Sequence, residues 1–231
     1  MIIIQPQVLI PITEIEDQII GKLERYARVC YKSEQRMEKD FNPAFLRGIL
    51  NSGHESVIEH EKITVMFICD RGITHEIVRH RIGSYSQEST RYCNYSQDRF
   101  GQEITVIEPY YLEDSRRYEL WVQACKCAEK TYMEMLQMGM SPQEARAVLP
   151  TCLKTEIVVT YNMREWRHFF KLRCAPGAHP QMRQLAIPLL KTLQQRVPIL
   201  FDNIAYDEEF PAEHYAQVQW TDAFFNPLTQ E

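Results

Sequence analysis

Residues 79–92 read Arg-His-Arg-Ile-Gly-Ser-Tyr-Ser-Gln-Glu-Ser-Thr-Arg-Tyr, so three guanidiniums, one imidazole, three serine hydroxyls and two phenols fall within fourteen residues. Donors at this density suit an anion. A guanidinium stays charged at any working pH, and its planar fork fits a phosphate or an enolate edge in a way that the point charge of lysine does not. No lysine occurs between Lys62 and Lys126. A charge cluster is ordinarily a solvated face, but Arg79, Arg81 and Arg91 are interleaved with apolar and aromatic residues rather than run together. On a helix predicted over 72–81, Arg79 and Arg81 diverge by about 200 degrees and cannot grip one phosphate from one face. Two ligands, or two parts of one large ligand, are implied. The same helix sets His75 four residues before Arg79 and Glu76 four before His80, giving each basic group a local partner.

Other chemistry-bearing residues read less specifically. Ser89 as a nucleophile would need a neighbouring base with its own orienting group, and the local sequence offers only His80, so a hydrogen-bond donor to substrate is the better reading. His54 and His60 read as core histidines before they read as half of a metal site, since no third ligand lies at a recognised spacing. No two of the eight glycines are separated by one residue, which excludes a dinucleotide fingerprint, and no Gly-x-x-x-x-Gly-Lys phosphate loop is present. Any nucleotide is therefore held by side chains and helix ends. Arg173 on its own reads as a cation closing a helix C-terminus.

The elements that must position these groups follow from pattern. Thr13 with Glu16 forms a capping-box pair, and Ile15, Ile19, Leu23 and Tyr26 share a face, which predicts a helix over 13–31. Pro43 and Gly53 bracket a second helix over 43–51. Ile63, Val65 and Phe67 alternate with Thr64 and Met66, predicting a strand over 61–69; the motif helix and its loop come next. A strand is expected at 104–107. Asp114 can cap a long helix to about residue 137 that buries Leu120, Cys127, Tyr132 and Leu136 and ends at Gly139. Ser141-Pro142-Gln143-Glu144 starts a short helix that carries Arg146 and stops at Pro150. A strand over 152–161 and helices over 164–172 and 181–196 complete the pattern, and the tail from Asp207 is acidic and aromatic, with Phe210, Tyr215, Trp220 and Phe224. The expected class is α+β, a small and mostly antiparallel sheet flanked by helices, in a single domain over 1–231.

Bulk properties narrow the function. A chain of 231 residues buries about 70–75% of its unfolded surface, enough for one substantial domain without metal or disulfides. Its net charge of −5 argues against a nucleic-acid binder that neutralises many phosphates. Seven cysteines without metal-ligand or Cys-x-x-Cys spacing point to a reducing cytoplasm. The apolar start at Met1-Ile2-Ile3-Ile4 is too short for a signal peptide, and no stretch is long enough to span a bilayer. A soluble protein, with neither membrane nor nucleic acid as partner, is expected.

The motif residues together resemble the signature of the flavin-dependent thymidylate synthases: Arg-His-Arg, seven residues, a serine, then Arg and Tyr two and three further on. Arg79, His80, Arg81, Ser89, Arg91 and Tyr92 satisfy it. Gly53-His54-Glu55-Ser56 with Glu59-His60, the segment from Arg146 to Pro150, Asn162-Met163-Arg164 and Leu172-Arg173 resemble the family's remaining blocks in order, over roughly residues 30–185. The resemblance implies synthesis of dTMP from dUMP, with methylenetetrahydrofolate as carbon donor and FAD, reduced by NADPH, as hydride carrier. It implies that Ser56, Arg79, His80, Arg81, Gln87, Asn162, Met163, Arg164 and His168 contact FAD. It places dUMP against Gln87, Glu88, Ser89, Thr90, Arg91 and Arg146 of one subunit and Glu76, Ile77, Val78, Arg79 and Arg173 of another, in a homotetramer. Arg173 beside the uracil and His54 near flavin and folate are the implied catalytic residues; no metal is implied. This chain departs from the family pattern at Ser86-Gln87, where Asn-Glu is usual, and at Glu76, His168 and Cys30. A second reading, a nucleotide-binding regulator that has lost catalysis, rests on the Ser86-Gln87 departure; RNA binding through the Arg/Tyr segment is the third.

Overall fold

In the computed structural model, which describes residues 1–15, 18–37, 41–112 and 114–222, the chain opens with strands β1 (Ile2–Ile4) and β2 (Gln7–Pro11), followed by helices α1 (Ile19–Tyr31) and α2 (Pro43–Asn51). Next come β3 (Lys62–Asp70), α3 (Arg71–Ile77), β4 (Gly83–Gln87), β5 (Thr105–Ile107), α4 (Ser115–Gln137) and α5 (Pro142–Ala145). The chain continues through β6 (Lys154–Asn162), α6 (Met163–Arg173), α7 (Pro180–Arg196), α8 (Pro198–Phe201) and β7 (Gln217–Thr221). β1 and β5 pair in parallel, Ile2 against Thr105 and Ile4 against Ile107, while an open five-stranded sheet runs in the order β4-β6-β3-β2-β7. The class is α+β, as expected. The chain forms two compact units, with boundaries inside β2, β3, β4 and β6 and between α3 and β4: one of residues 1–7, 67–79 and 85–158, the other of residues 8–66, 80–84 and 159 onward.

In the first unit, Tyr95, Ile104, Val106, Cys125, Tyr132, Ala145 and Leu153 make the core. Asp114 caps α4 as predicted, accepting from the Arg117 amide at 3.0 Å. The buried stripe of α4 differs from expectation. Tyr132 is buried and Leu136 partly so, but Leu120 is 51% exposed and Cys127 is exposed, while Cys125 is buried. The helical period explains this, because 125, 132 and 136 lie seven and four apart on one face, whereas 127 is offset from 125 by about 200 degrees. Gly139 ends α4 at φ 92°, a left-handed position that suits glycine. The Ser141–Glu144 capping box forms, and the turn after α5 carries Arg146.

In the second unit, α1 begins at Ile19 rather than at residue 13, because the Glu14 carboxylate accepts from the Thr64 amide and holds the preceding segment as a turn. Glu16, the other half of the expected capping box, lies outside the described residues. Ile15, Ile19 and Leu23 are buried, but Tyr26 is exposed and packs against the His60 ring at 4.9 Å. The core centres on α6, where Trp166, Phe169 and Phe170 meet Tyr161 and Phe201 in mostly edge-to-face contacts. Trp166 Nε1 satisfies itself on the Ile63 carbonyl at 3.0 Å. Arg167 is buried among Glu55, Asn203 and the Leu200 carbonyl, which fastens α6 to the turn Glu55–His60.

Candidate functional site

The motif helix α3 is shorter than the predicted helix over 72–81. Asp70 caps it, accepting from the Ile73 amide at 2.9 Å, and it ends at Ile77, so Arg79, His80 and Arg81 leave the helix on extended or turning backbone. Gly72 follows the cap for a steric reason: a Cβ there would meet Asp70 Oδ1 at 3.0 Å. The helix face expected to carry His75 with Arg79 and Glu76 with His80 therefore stops short of Arg79 and His80. The segment read as a loop after the triplet is strand β4, which ends at Gln87.

In the first unit, several residues expected at the nucleotide converge. Gln87 is fixed by its amide, which donates to the Thr74 hydroxyl at 3.0 Å and the Thr155 hydroxyl at 3.3 Å. Arg71, which the sequence reading did not single out, donates to the Glu88 carbonyl at 3.2 Å and so braces the start of the Glu88–Arg91 turn. Arg146 reaches the Thr90 hydroxyl at 3.4 Å, joining two expected site segments that are distant in sequence. Ser89 Oγ accepts from the Arg91 amide at 3.3 Å, a turn-forming bond. The Arg91 guanidinium lies 5.5 Å from the Tyr92 ring centroid, and both residues are exposed, Tyr92 by 75%. Glu88 departs from expectation: its carboxylate turns inward to accept from Tyr95 Oη at 2.8 Å and from Lys154 at 3.3 Å. Burial first and then this carboxylate raise the Tyr95 phenol well above its ordinary range. Ile77 is buried and contributes core rather than a side chain for a ligand; its carbonyl accepts from Tyr85 Oη. Glu76 and Val78 are half-buried and Arg79 is exposed.

In the second unit, Arg81, Asn162, Arg164 and His168 line one cavity of about 500 Å3, with Lys171, Glu59 and Glu165 also in its wall. Arg164 is held by Glu59 at 2.5 Å, and Arg81 donates to the His80 carbonyl at 3.0 Å. Asn162 caps α6, its Oδ1 accepting from the Glu165 amide at 2.8 Å. Met163 is fully buried, so its side chain belongs to the core and not to a ligand surface. His54 is exposed, with Nδ1 at 3.4 Å from Tyr31 Oη, and Ser56 is exposed on the same segment, outside the lining of that cavity.

His80 departs from the simple expectation of a ligand contact. Its ring is 4% exposed, with Nδ1 2.8 Å from Glu165 Oε1 and Nε2 3.0 Å from Arg173 Nε. Arginine only donates, so Nε2 must be an acceptor; the ring proton sits on Nδ1 and is donated to the Glu165 carboxyl. Burial, then the Arg173 guanidinium and His168, hold His80 down to about 4, while burial pushes Glu165 up to about 7. The chain Glu165–His80–Arg173 thus orients a guanidinium from its own α6. His80, Glu165 and His168 have ligand atoms within 4.8 Å of one another. A cation bound there would have to break a bond that His80 already makes, beside a permanent positive charge. The sequence holds one clue to this chain: Glu165, His168 and Arg173 recur on the α6 pattern, but Glu165 and His80 are 85 residues apart.

Comparison with known proteins places these features in context. The family model described as thymidylate synthase complementing protein matches residues 16–199. The flavin-dependent thymidylate synthase of Pyrococcus abyssi (strain GE5 / Orsay) is 37% identical over 166 residues, covering 71% of this chain and 68% of that protein. The protein of the same description from Geobacter sulfurreducens (strain ATCC 51573 / DSM 12127 / PCA) is 34% identical over 182 residues, covering 76% and 77%. The fold is similar to the crystal structure of the UMP/dUMP methylase PolB from Streptomyces cacaoi bound with 5-Br dUMP, with a TM-score of 0.72 at 18% identity over 87% of this chain and 96% of that one.

Proposed function

This chain belongs to the flavin-dependent thymidylate synthase family, and from that premise we propose that it makes dTMP from dUMP, using methylenetetrahydrofolate as carbon donor and NADPH as reductant of its flavin. The observation that carries the proposal is the convergence of Arg81, Asn162, Arg164 and His168, distant in sequence, on one cavity. Its volume, and a wall in which Arg81, Arg164 and Lys171 stand among Glu55, Glu59 and Glu165, fit part of a dinucleotide such as FAD. Bound FAD would supply the hydride chemistry that side chains cannot. Arg79 and Gln87 complete the proposed flavin contacts with Ser56; the backbones of His80 and Met163, rather than their buried side chains, are the parts that remain for a ligand.

Arg91 and Arg146 are assigned to the dUMP phosphate, with the Gln87–Thr90 turn hydrogen-bonding the nucleotide. Glu76 to Arg79 and Arg173 complete that site from a second subunit of a homotetramer. Ile82, 85% exposed, and Tyr92 leave apolar surface on the motif segments of the single chain, which suits sites finished by a neighbouring copy. Arg173, oriented by His80, stabilises negative charge that develops on the pyrimidine, and His54 faces flavin and folate. The seven cysteines are all free, which suits a reducing cytoplasm, and among the described residues no helix is long and apolar enough to cross a membrane.

A spectroscopic test is direct. Under anaerobic conditions, purified protein given FAD should absorb at about 450 nm, bleach with NADPH, and regain colour only when dUMP and methylenetetrahydrofolate are both added. Protein that binds dUMP but takes up no flavin would favour the regulatory reading and contradict the proposal.

A further inference from the structure

Two cysteines that the activity does not use stand together in the first unit. The sulfurs of Cys125, on α4, and Cys152, just before β6, are 3.4 Å apart. No other pair of cysteine sulfurs among the described residues is within hydrogen-bond distance. We propose that Cys125 and Cys152 form a reversible modification site, oxidised by hydrogen peroxide to a disulfide, with Cys152 as the attacking sulfur and Cys125 as the resolving one.

Geometry sets the division of roles. Cys152 is half-buried, whereas Cys125 is 2% exposed, so an oxidant meets Cys152 first. The two sulfurs share one hydrogen bond, in which either thiol can be the donor. That shared bond lowers the Cys152 thiol against the opposing effect of burial and raises Cys125. Thiolate character and access decide which cysteine is oxidised. The exposed cysteines, Cys30 and Cys127, have access but no adjacent thiol to resolve a first oxidation product.

The chemistry balances without a metal. The Cys152 thiolate attacks one peroxide oxygen, the O–O bond breaks, and hydroxide leaves with the proton that the thiol gave up, forming water and a Cys152 sulfenic acid. Cys125 sulfur then attacks Cys152 sulfur, the S–O bond breaks, and a second water leaves with the Cys125 proton. Two thiols lose two electrons and two protons, and one peroxide is reduced to two waters. The sulfurs must close to about 2.0 Å. The bond ties α4 to the backbone that anchors α3, since Thr151 and Leu153 carbonyls accept from the Gly72 and Arg71 amides at 3.2 and 3.1 Å. A transient cytosolic disulfide of this kind is compatible with a reducing compartment. The site does not depend on the activity proposed above.

The test uses the full chain, reduced, desalted and treated with hydrogen peroxide, then alkylated under denaturing conditions and digested without reductant. Mass spectrometry should find, as the first product, one peptide pair joined through Cys125 and Cys152, lighter by two hydrogens and released by dithiothreitol. In Cys125→Ala, Cys152 should instead stop at a sulfenic acid that dimedone captures. Recovery of both cysteines alkylated while Cys30 or Cys127 is oxidised would overturn the proposal. So would a Cys152 sulfinic acid beside an intact Cys125 thiol in the parent protein, a result that does not rely on the variant folding.

Discussion

At the scale of single residues, His80 is an orienting group whose two nitrogens connect Glu165 to Arg173. Arg173→Ala should lower dTMP formation by about 10²–10³-fold, the cost of losing one preorganised charge at a developing anion, with flavin still bound; turnover within a few-fold of the parent would remove Arg173 from the reaction. Glu165→Leu should cost about tenfold in turnover because the His80 tautomer is no longer fixed, while Glu165→Gln, which keeps an acceptor, should recover most of it. If Glu165 acts through Arg173, the leucine change adds nothing in an Arg173→Ala background; additive losses would give Glu165 a separate role. Titration has a definite sign here. His80, lowered to about 4 from 6.5, favours the folded state fully above pH 6.5 and loses that contribution as pH falls through 4. Glu165, raised from 4.5 to about 7, works in the opposite sense, favouring folding at low pH and losing that contribution as pH rises from 4.5 through 7. The stability gap between the parent and His80→Gln should therefore shrink by up to about 3 kcal/mol between pH 6.5 and 4, measured by urea unfolding at each pH; a constant gap would place a charged imidazole in the fold. The motif arginines were legible from type and spacing, whereas Asn162, Arg164, His168 and Arg173 were singled out only through the resemblance, and Glu165 not at all. The roles of His80 and Glu88 were not legible, since each depends on a partner, Glu165 or Lys154, that only tertiary structure delivers.

At the scale of elements, Asp70 is the residue on which the motif helix depends. Asp70→Ala should destabilise by about 1 kcal/mol through loss of the cap, and Asp70→Asn should restore most of that, because asparagine accepts the same amide. Equal losses for both, measured by denaturant unfolding, would mean that the carboxylate charge and not the cap is what matters. Most elements could be read in advance where a boundary residue acts locally: Pro43, Asp114, Gly139 and the Ser141–Glu144 box all do their work within a turn. Misreadings came where a distant partner decides. Glu14 gives its carboxylate to Thr64 instead of starting a helix, and α3 stops at Ile77 although residues 78–81 continue a helical pattern. Gly83-Ser84-Tyr85-Ser86-Gln87 has no alternation of apolar and polar residues to mark β4 in the sequence; its place beside β6 makes it a strand. β7, in the acidic tail, belongs to the same sheet and packs on α7.

At the scale of the whole molecule, the proposed division of each nucleotide site between subunits has a sharp consequence. Arg91→Ala and Arg173→Ala subunits, each inactive alone, should regain activity when unfolded, mixed and reassembled, with roughly one site in four receiving both arginines. Mixtures no more active than their components would confine each site to one chain. The central claim, that this chain methylates dUMP with a flavin as its hydride carrier, is tested most directly by following dTMP in a reaction of dUMP, methylenetetrahydrofolate, NADPH and FAD. Product should form in the complete mixture and fall to background when any one component is left out; no dTMP in the complete mixture, or dTMP undiminished in flavin-free protein without FAD, would contradict it.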